Sequence, residues 1–251
     1  MQRFNPTVHL LIKKIMKRIT YSIFAVILLI AVTQKVSAQT EETRQVSGFN
    51  SVGSAGPFIV HVKIDGAESL RIKADKAIIN EIETFVEGEH LEIRFKHHDH
   101  WDRDDYGKEP IEIYISAKSL SALESAGSGS ITVDGELTGE NVKISVSGSG
   151  SISTGSKSQD LHLSISGSGS VHLRGSANEA KISIAGSGEL MAKEFKTGTA
   201  SVSIAGSGNA YFAAEKSISA HIAGSGNVIY SGTASISDSR TVGSGRVSRE
   251  D

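Results

Sequence analysis

Residues 145–152 read Ser-Val-Ser-Gly-Ser-Gly-Ser-Ile (SVSGSGSI), and a Gly-Ser-Gly flanked by β-forming residues keeps returning along the chain. Copies begin at Gly127, Gly148, Gly167, Gly186, Gly206, Gly224 and Gly243, at intervals of 18 to 21 residues. A flexible linker has no register beyond its glycines, but here the register extends to either side. Two residues before each first glycine stand Ser125, Val146, Ile165, Ile184, Ile204, Ile222 and Thr241. Two residues after each second glycine stand Ile131, Ile152, Val171, Leu190, Ala210, Val228 and Val247. Each repeat is thus an alternating strand, a small-residue corner and a second alternating strand, with one side facing inward and the other in water. Short polar stretches (138–141, 156–160, 176–179) read as the links to the next repeat.

A period near twenty residues points to a solenoid. Identical element order makes successive coils parallel, so the expected fold is all-β: a right-handed parallel β-helix of about seven coils over 123–251. The corner glycines are the expected structural residues: Gly127 and Gly129, Gly148 and Gly150, Gly167 and Gly169, Gly186 and Gly188, Gly206 and Gly208, Gly224 and Gly226. Stacked about 4.8 Å apart, such corners leave no room for side chains. Their serine hydroxyls are candidates for a hydrogen-bonded column. Large Phe212 falls between small Ala192 and Tyr230 in one predicted interior row. The last copy carries Thr241, Arg246, Arg249, Glu250 and Asp251, as expected of an exposed terminal coil that must avoid indiscriminate pairing.

Residues 39–122 lack Gly-Ser-Gly but still alternate (PFIVHVKID, SLRIKA, HLEIRFK, PIEIYIS), which predicts a less regular β lobe capping the helix and continuous with it. SVGSAGPF (51–58) reads as a degraded corner, and 75–85 as one or two helical turns with Ile78 and Ile82 inward. Residues 1–38 hold six basic and no acidic residues, an apolar run Tyr21–Val32, and small Ser37 and Ala38. That is the pattern of a secretory leader cleaved near Ala38-Gln39; the run is too short for a membrane span, and none is expected in the mature chain. Removing it leaves 20 basic against 28 acidic residues, a formal charge of −8 that disfavours nucleic acid as a partner. With no cysteine, disulfides and thiolate metal sites are excluded.

The opening Phe49-Asn50-Ser51-Val52-Gly53-Ser54-Ala55-Gly56-Pro57-Phe58-Ile59-Val60, followed by Ser/Ala-Gly-Ser-Gly coils, resembles the head GIN domain family of adhesins across about 45–232. The resemblance implies a secreted or envelope-associated β-helix with an adhesive role and brings no catalytic residues with it.

Two features carry candidate chemistry. KHHDHWDRDDY (96–106) offers His97, His98, His100, Asp99 and Asp102 to a metal, or Trp101 and Tyr106 as a platform for a sugar ring; its bland reading is a solvated connection. Glu140, Asp160 and Glu179 lie seven or eight residues before successive corners and form a candidate acidic column, of use to a polysaccharide lyase or hydrolase if it lines a cleft. No corner continues into a P-loop or a calcium-binding roll, and no cofactor is expected. The leading expectation is a non-catalytic, extracytoplasmic solenoid that binds a glycan or an envelope protein; a carbohydrate-active enzyme is the alternative. The sequence carries no signal for oligomeric state.

Overall fold

The computed structural model describes residues 40–96 and 109–250. Its organising feature is the column of corners. Gly127 registers with Gly148, Gly148 with Gly167, and so on through Gly186, Gly206 and Gly224 to Gly243, all between parallel strands. Gly56 tops the column, because Gly129 N–H donates to the Gly56 carbonyl at 3.0 Å and Gly56 N–H donates to Ala126. The degraded corner at 51–58 is therefore a true one. The expected serine hydroxyl ladder at the corner is not what joins the rungs. Backbone does this: Ser149 N–H donates to Gly127 O, Ser168 to Gly148 O and Ser187 to Gly167 O, each at 2.9 Å. The hydroxyls of Ser149, Ser168 and Ser187 sit on exposed residues.

Two corner positions show why only glycine fits. Gly186 has φ of +112°, and a Cβ there would meet the Gly167 carbonyl oxygen at 2.5 Å. Gly208 has no such backbone demand, but its Cβ would lie 2.5 Å from Ile184 Cγ2. The first glycine of the corner bends the chain against the rung below, and the second lets core side chains pack under the bend.

Each coil is nearly all strand. β9 (Ser130–Gly148), β10 (Ser151–Gly167), β11 (Ser170–Gly186), β12 (Glu189–Gly206) and β13 (Asn209–Gly224) stack in sequence order, all parallel. β14 (Asn227–Ser231), β15 (Ser235–Gly243) and β16 (Arg246–Arg249) complete the end, β15 on β13 and β16 on β14. The polar stretches expected to be links lie within these strands, and the bends between them contribute a further interior row. Leu137, Ser156, Gly175 and Phe195 stand in register there. Bulky Phe195 lies over a glycine, so the row is filled without overcrowding. The predicted Ala192–Phe212–Tyr230 row is also present.

The solenoid continues at its N-terminal side through β2 (Ser51–Ala55) and β3 (Ile59–Ile64), which pair parallel with β8 (Ala122–Gly127) and β9. β6 (His90–Phe95) and β7 (Glu112–Ala117) add one more parallel level on β2 and β3. Beyond them the chain reverses. β4 (Ser69–Ala74), helix α1 (Lys76–Ile79) and β5 (Ile82–Glu87) run antiparallel to β7 and β6, and β1 (Thr40–Arg44) is antiparallel to β4. Buried Ile78, Ile79 and Ile82 close that end of the core. The helix is a single turn because Ile82 already belongs to a strand. Among the described residues, all sixteen strands join one sheet.

The reversal is fastened by charge. Lys73 and Glu112 face each other in register across β4 and β7, with Lys73 Nζ 2.8 Å from Glu112 Oε2. The Lys73 ammonium, helped by the Tyr114 hydroxyl, holds the Glu112 carboxyl below its ordinary range, and the same bond raises Lys73. A depressed carboxyl contributes stability above its unfolded pKa and loses it as pH falls through the folded value. Glu112→Gln is therefore expected to lower the urea midpoint modestly at neutral pH and to match wild type in acid, once the wild-type carboxyl is protonated and as uncharged as the amide. A variant equally weak at both pH values would exclude the ion pair as the cause.

Candidate binding face

Outward residues of the first arm of each coil line up as strictly as the inward ones. Arg71 registers with Tyr114, Tyr114 with His61, and His61 with Thr132. The row continues through Ser153, His172, Met191 and Tyr211 to Ile229. From Tyr114 to Ile229 it crosses eight strands, about 34 Å at the spacing of a β-ladder. Both halves carry flat or polarisable groups. Toward the cap, the rings of His61 and Tyr114 stack with centroids 5.1 Å apart, and the Arg71 guanidinium lies 4.6 Å above Tyr114. Toward the other end, Lys193 Nζ sits 5.7 Å from the Tyr211 ring and 2.8 Å from Glu250.

Concavity follows from the bend in each coil. Pairing skips residues between Ser153 and Gly155, between His172 and Arg174, and between Ala192 and Lys196. These irregularities fold the outer surface inward and leave a hollow of about 630 Å³ lined by His172, Arg174, Glu189, Met191, Glu194 and Tyr211 among others. A second hollow of about 350 Å³ lies around His61, Lys63, Arg71, Tyr114 and Asp134. Thr132 and Ser153, neighbours in register, connect the two. Open hollows walled by aromatic, cationic and carboxylate groups set apolar ring surface beside hydrogen-bond donors and acceptors, the combination a hydroxyl-rich polymer requires.

The candidates foreseen from sequence fare differently. His97, His98, Asp99, His100, Trp101, Asp102 and Tyr106 lie outside the described residues. The acidic column needs correction. Asn141, not Glu140, stands opposite Asp160, which in turn faces Glu179. Glu140 is eight residues from its corner and the other two are seven from theirs; a one-residue difference turns a side chain to the other face. Beside the remaining acids runs a row absent from the sequence reading: Lys143, His162 and Lys181 in register. Each acid thus has a basic or imidazole neighbour two residues along its own strand, which makes a mixed polar face.

A Ser-His-acid relay also went unforeseen. Ser51 Oγ is 2.8 Å from His90 Nδ1, and His90 Nε2 is 3.0 Å from Glu92 Oε2. The only sign in the sequence is the alternation in His90-Leu91-Glu92; the cross-strand register supplies the rest. The neighbouring amides of Asn50 and Ser51 both donate to Glu89 O, at 2.9 and 3.1 Å, so they do not form a site for an oxyanion. The relay ties β2 to β6. Among the described residues, no cluster of His, Asp and Glu could hold a metal ion, and no helix is long and apolar enough to cross a membrane.

Residues 48–234 match the family described as "putative auto-transporter adhesin, head GIN domain". Three solved structures share the architecture. A "putative adhesin" from Bacteroides fragilis is 22% identical, with 85% of this chain and 97% of that one covered and a TM-score of 0.75. A "putative lipid binding protein" from Parabacteroides distasonis is 23% identical, covering 86% and 98%, with a TM-score of 0.67. A "putative adhesin" from Parabacteroides merdae is 20% identical, covering 86% and 98%, with a TM-score of 0.63. At these identities the likeness is one of fold. No curated protein matches the sequence.

Proposed function

We propose that this chain, which belongs to the head GIN domain family of auto-transporter adhesins, is a non-catalytic envelope adhesin that holds an extended glycan along the Tyr114–Ile229 row. The observation that carries this reading is the continuity of that row across eight strands, with aromatic side chains in each of two neighbouring hollows. A linear polymer laid along the solenoid axis meets a new rung at each ladder spacing, so weak contacts add up. The leader at 1–38 fits export, after which 39–251 acts outside the cytoplasm as one continuous domain. The single sheet joining the cap to the coils supports that domain boundary.

The test is a panel of immobilised polysaccharides probed with wild type, Tyr211→Ala, Tyr114→Ala and the double variant. Ring stacking of about 0.5–1.5 kcal/mol per site predicts a several-fold to tenfold loss for each single variant and a larger loss for the pair. A panel that stays blank, or a double variant that binds like wild type, would defeat the proposal.

A further inference from the structure

The two ends of the solenoid are finished differently. The N-terminal end is closed by the antiparallel arch of β4, α1 and β5 with β1 outside it. At the other end β15 pairs with β13 and β16 with β14, and among the described residues neither has a partner on its outer edge. β15 is nine residues long and exposed throughout. It also carries the two exposed large hydrophobic side chains among the described residues, Ile236 at 44% and Val242 at 71%. An edge of this length is a template for another strand unless its sequence restricts what can pair.

We propose that β15 pairs antiparallel with β15 of a second copy about a twofold axis through Ser239, giving a closed end-to-end dimer. The register is chosen by charge. Asp238 and Arg240 stand opposite Ser219 and His221 of β13, in rows that face outward. An axis through residue 238 would set Asp238 against the second copy's Asp238, and one through 240 would set Arg240 against the second copy's Arg240. Like charges directly opposite are destabilising, whereas opposite charges stabilise the pair. Centring on Ser239 places Asp238 of each copy against the second copy's Arg240, so the ion pair forms twice. The irregularity between Ile236 and Asp238 leaves Ile236 on the inward row of Ile218 and Val242 on the outward row of Ala223, so the register rests on the charges alone.

Asp238 is already held by His221, whose Nε2 lies 3.0 Å from its Oδ2, which steers the carboxylate on the exposed face. The charges of β15 thus disfavour the registers centred on 238 and 240 and favour the one centred between them. A twofold contact uses the β15 edge of both copies and is closed there, unlike head-to-tail stacking. This inference is independent of the ligand on the Tyr114–Ile229 row.

Sedimentation equilibrium of the exported form over a wide concentration range is the test. Wild type is expected to show a monomer–dimer equilibrium. Asp238→Arg and Arg240→Asp should each weaken it at least tenfold, and the double swap Asp238→Arg/Arg240→Asp should restore it. Arg240→Asp leaves the His221–Asp238 contact intact, and matching urea midpoints would show that folding is unchanged. Wild type monomeric at every concentration, assembly beyond a dimer, single variants that dimerise normally, or a double swap that stays monomeric would each overturn the proposal.

Discussion

Replacing Gly186 by alanine should destabilise the protein by at least ~3 kcal/mol, although it adds a single methyl group. Two costs combine. The backbone at φ +112° lies where L side chains are strained, and the new Cβ would sit 2.5 Å from the Gly167 carbonyl oxygen. That oxygen accepts from Ser187 N–H at 2.9 Å, so relieving the clash by separating the rungs breaks the bond that joins them. Neither neighbour can yield alone, since Gly167 and Gly206 are registered with the rungs on either side. Gly88 provides the control. It also has positive φ, +61°, but nothing lies within 4 Å of a Cβ built there. Gly88→Ala should therefore cost only the conformational strain, about 1–2 kcal/mol. Urea melts of the two variants separate strain from stacking, and equal midpoints would refute the crowded-corner account.

Phe195→Ala should cost about 3–5 kcal/mol through the cavity it opens. Phe195 is 1% exposed and follows Gly175 in its row, which in turn follows Ser156. With a glycine and a small polar residue on one side, no neighbouring side chain can swing in to fill the void. The strands cannot collapse inward either, because corner hydrogen bonds on both sides set the rung spacing. Phe195→Leu keeps much of the volume and should lose less than about 1.5 kcal/mol. The check is the pair of urea midpoints; a Phe195→Ala variant as stable as Phe195→Leu would mean that the row can close up.

Most of the fold is legible in the chain because a solenoid turns three-dimensional neighbours into a sequence period. Val146, Ile165, Ile184, Ile204 and Ile222 share an offset from their corners, and they share an interior row. The cap is legible as strands but not as an arrangement. Nothing in SLRIKA or HLEIRFK distinguishes the antiparallel β4 from the parallel β6, since alternation reports burial and not direction. The polar stretches misled for a related reason. Leu137 and Phe195 stand alone among polar residues, and only the bend of the coil turns them inward.

The binding face shows the same division. Met191 and Tyr211 are separated by one repeat, but His61 and Tyr114 are 53 residues apart in the irregular lobe and share no period with them. Their place in the row follows from β3 pairing with both β7 and β9.

By itself, the sequence determined the corners, the interior rows beside them and the direction in which coils stack, because glycine at a crowded bend and period-2 alternation are local demands. Tertiary pairing decided the reversal at the cap, the row from Tyr114 to Ile229, and the replacement of Glu140 by Asn141 opposite Asp160. Those depend on how many residues each coil spends at its bend, and only strand register counts them.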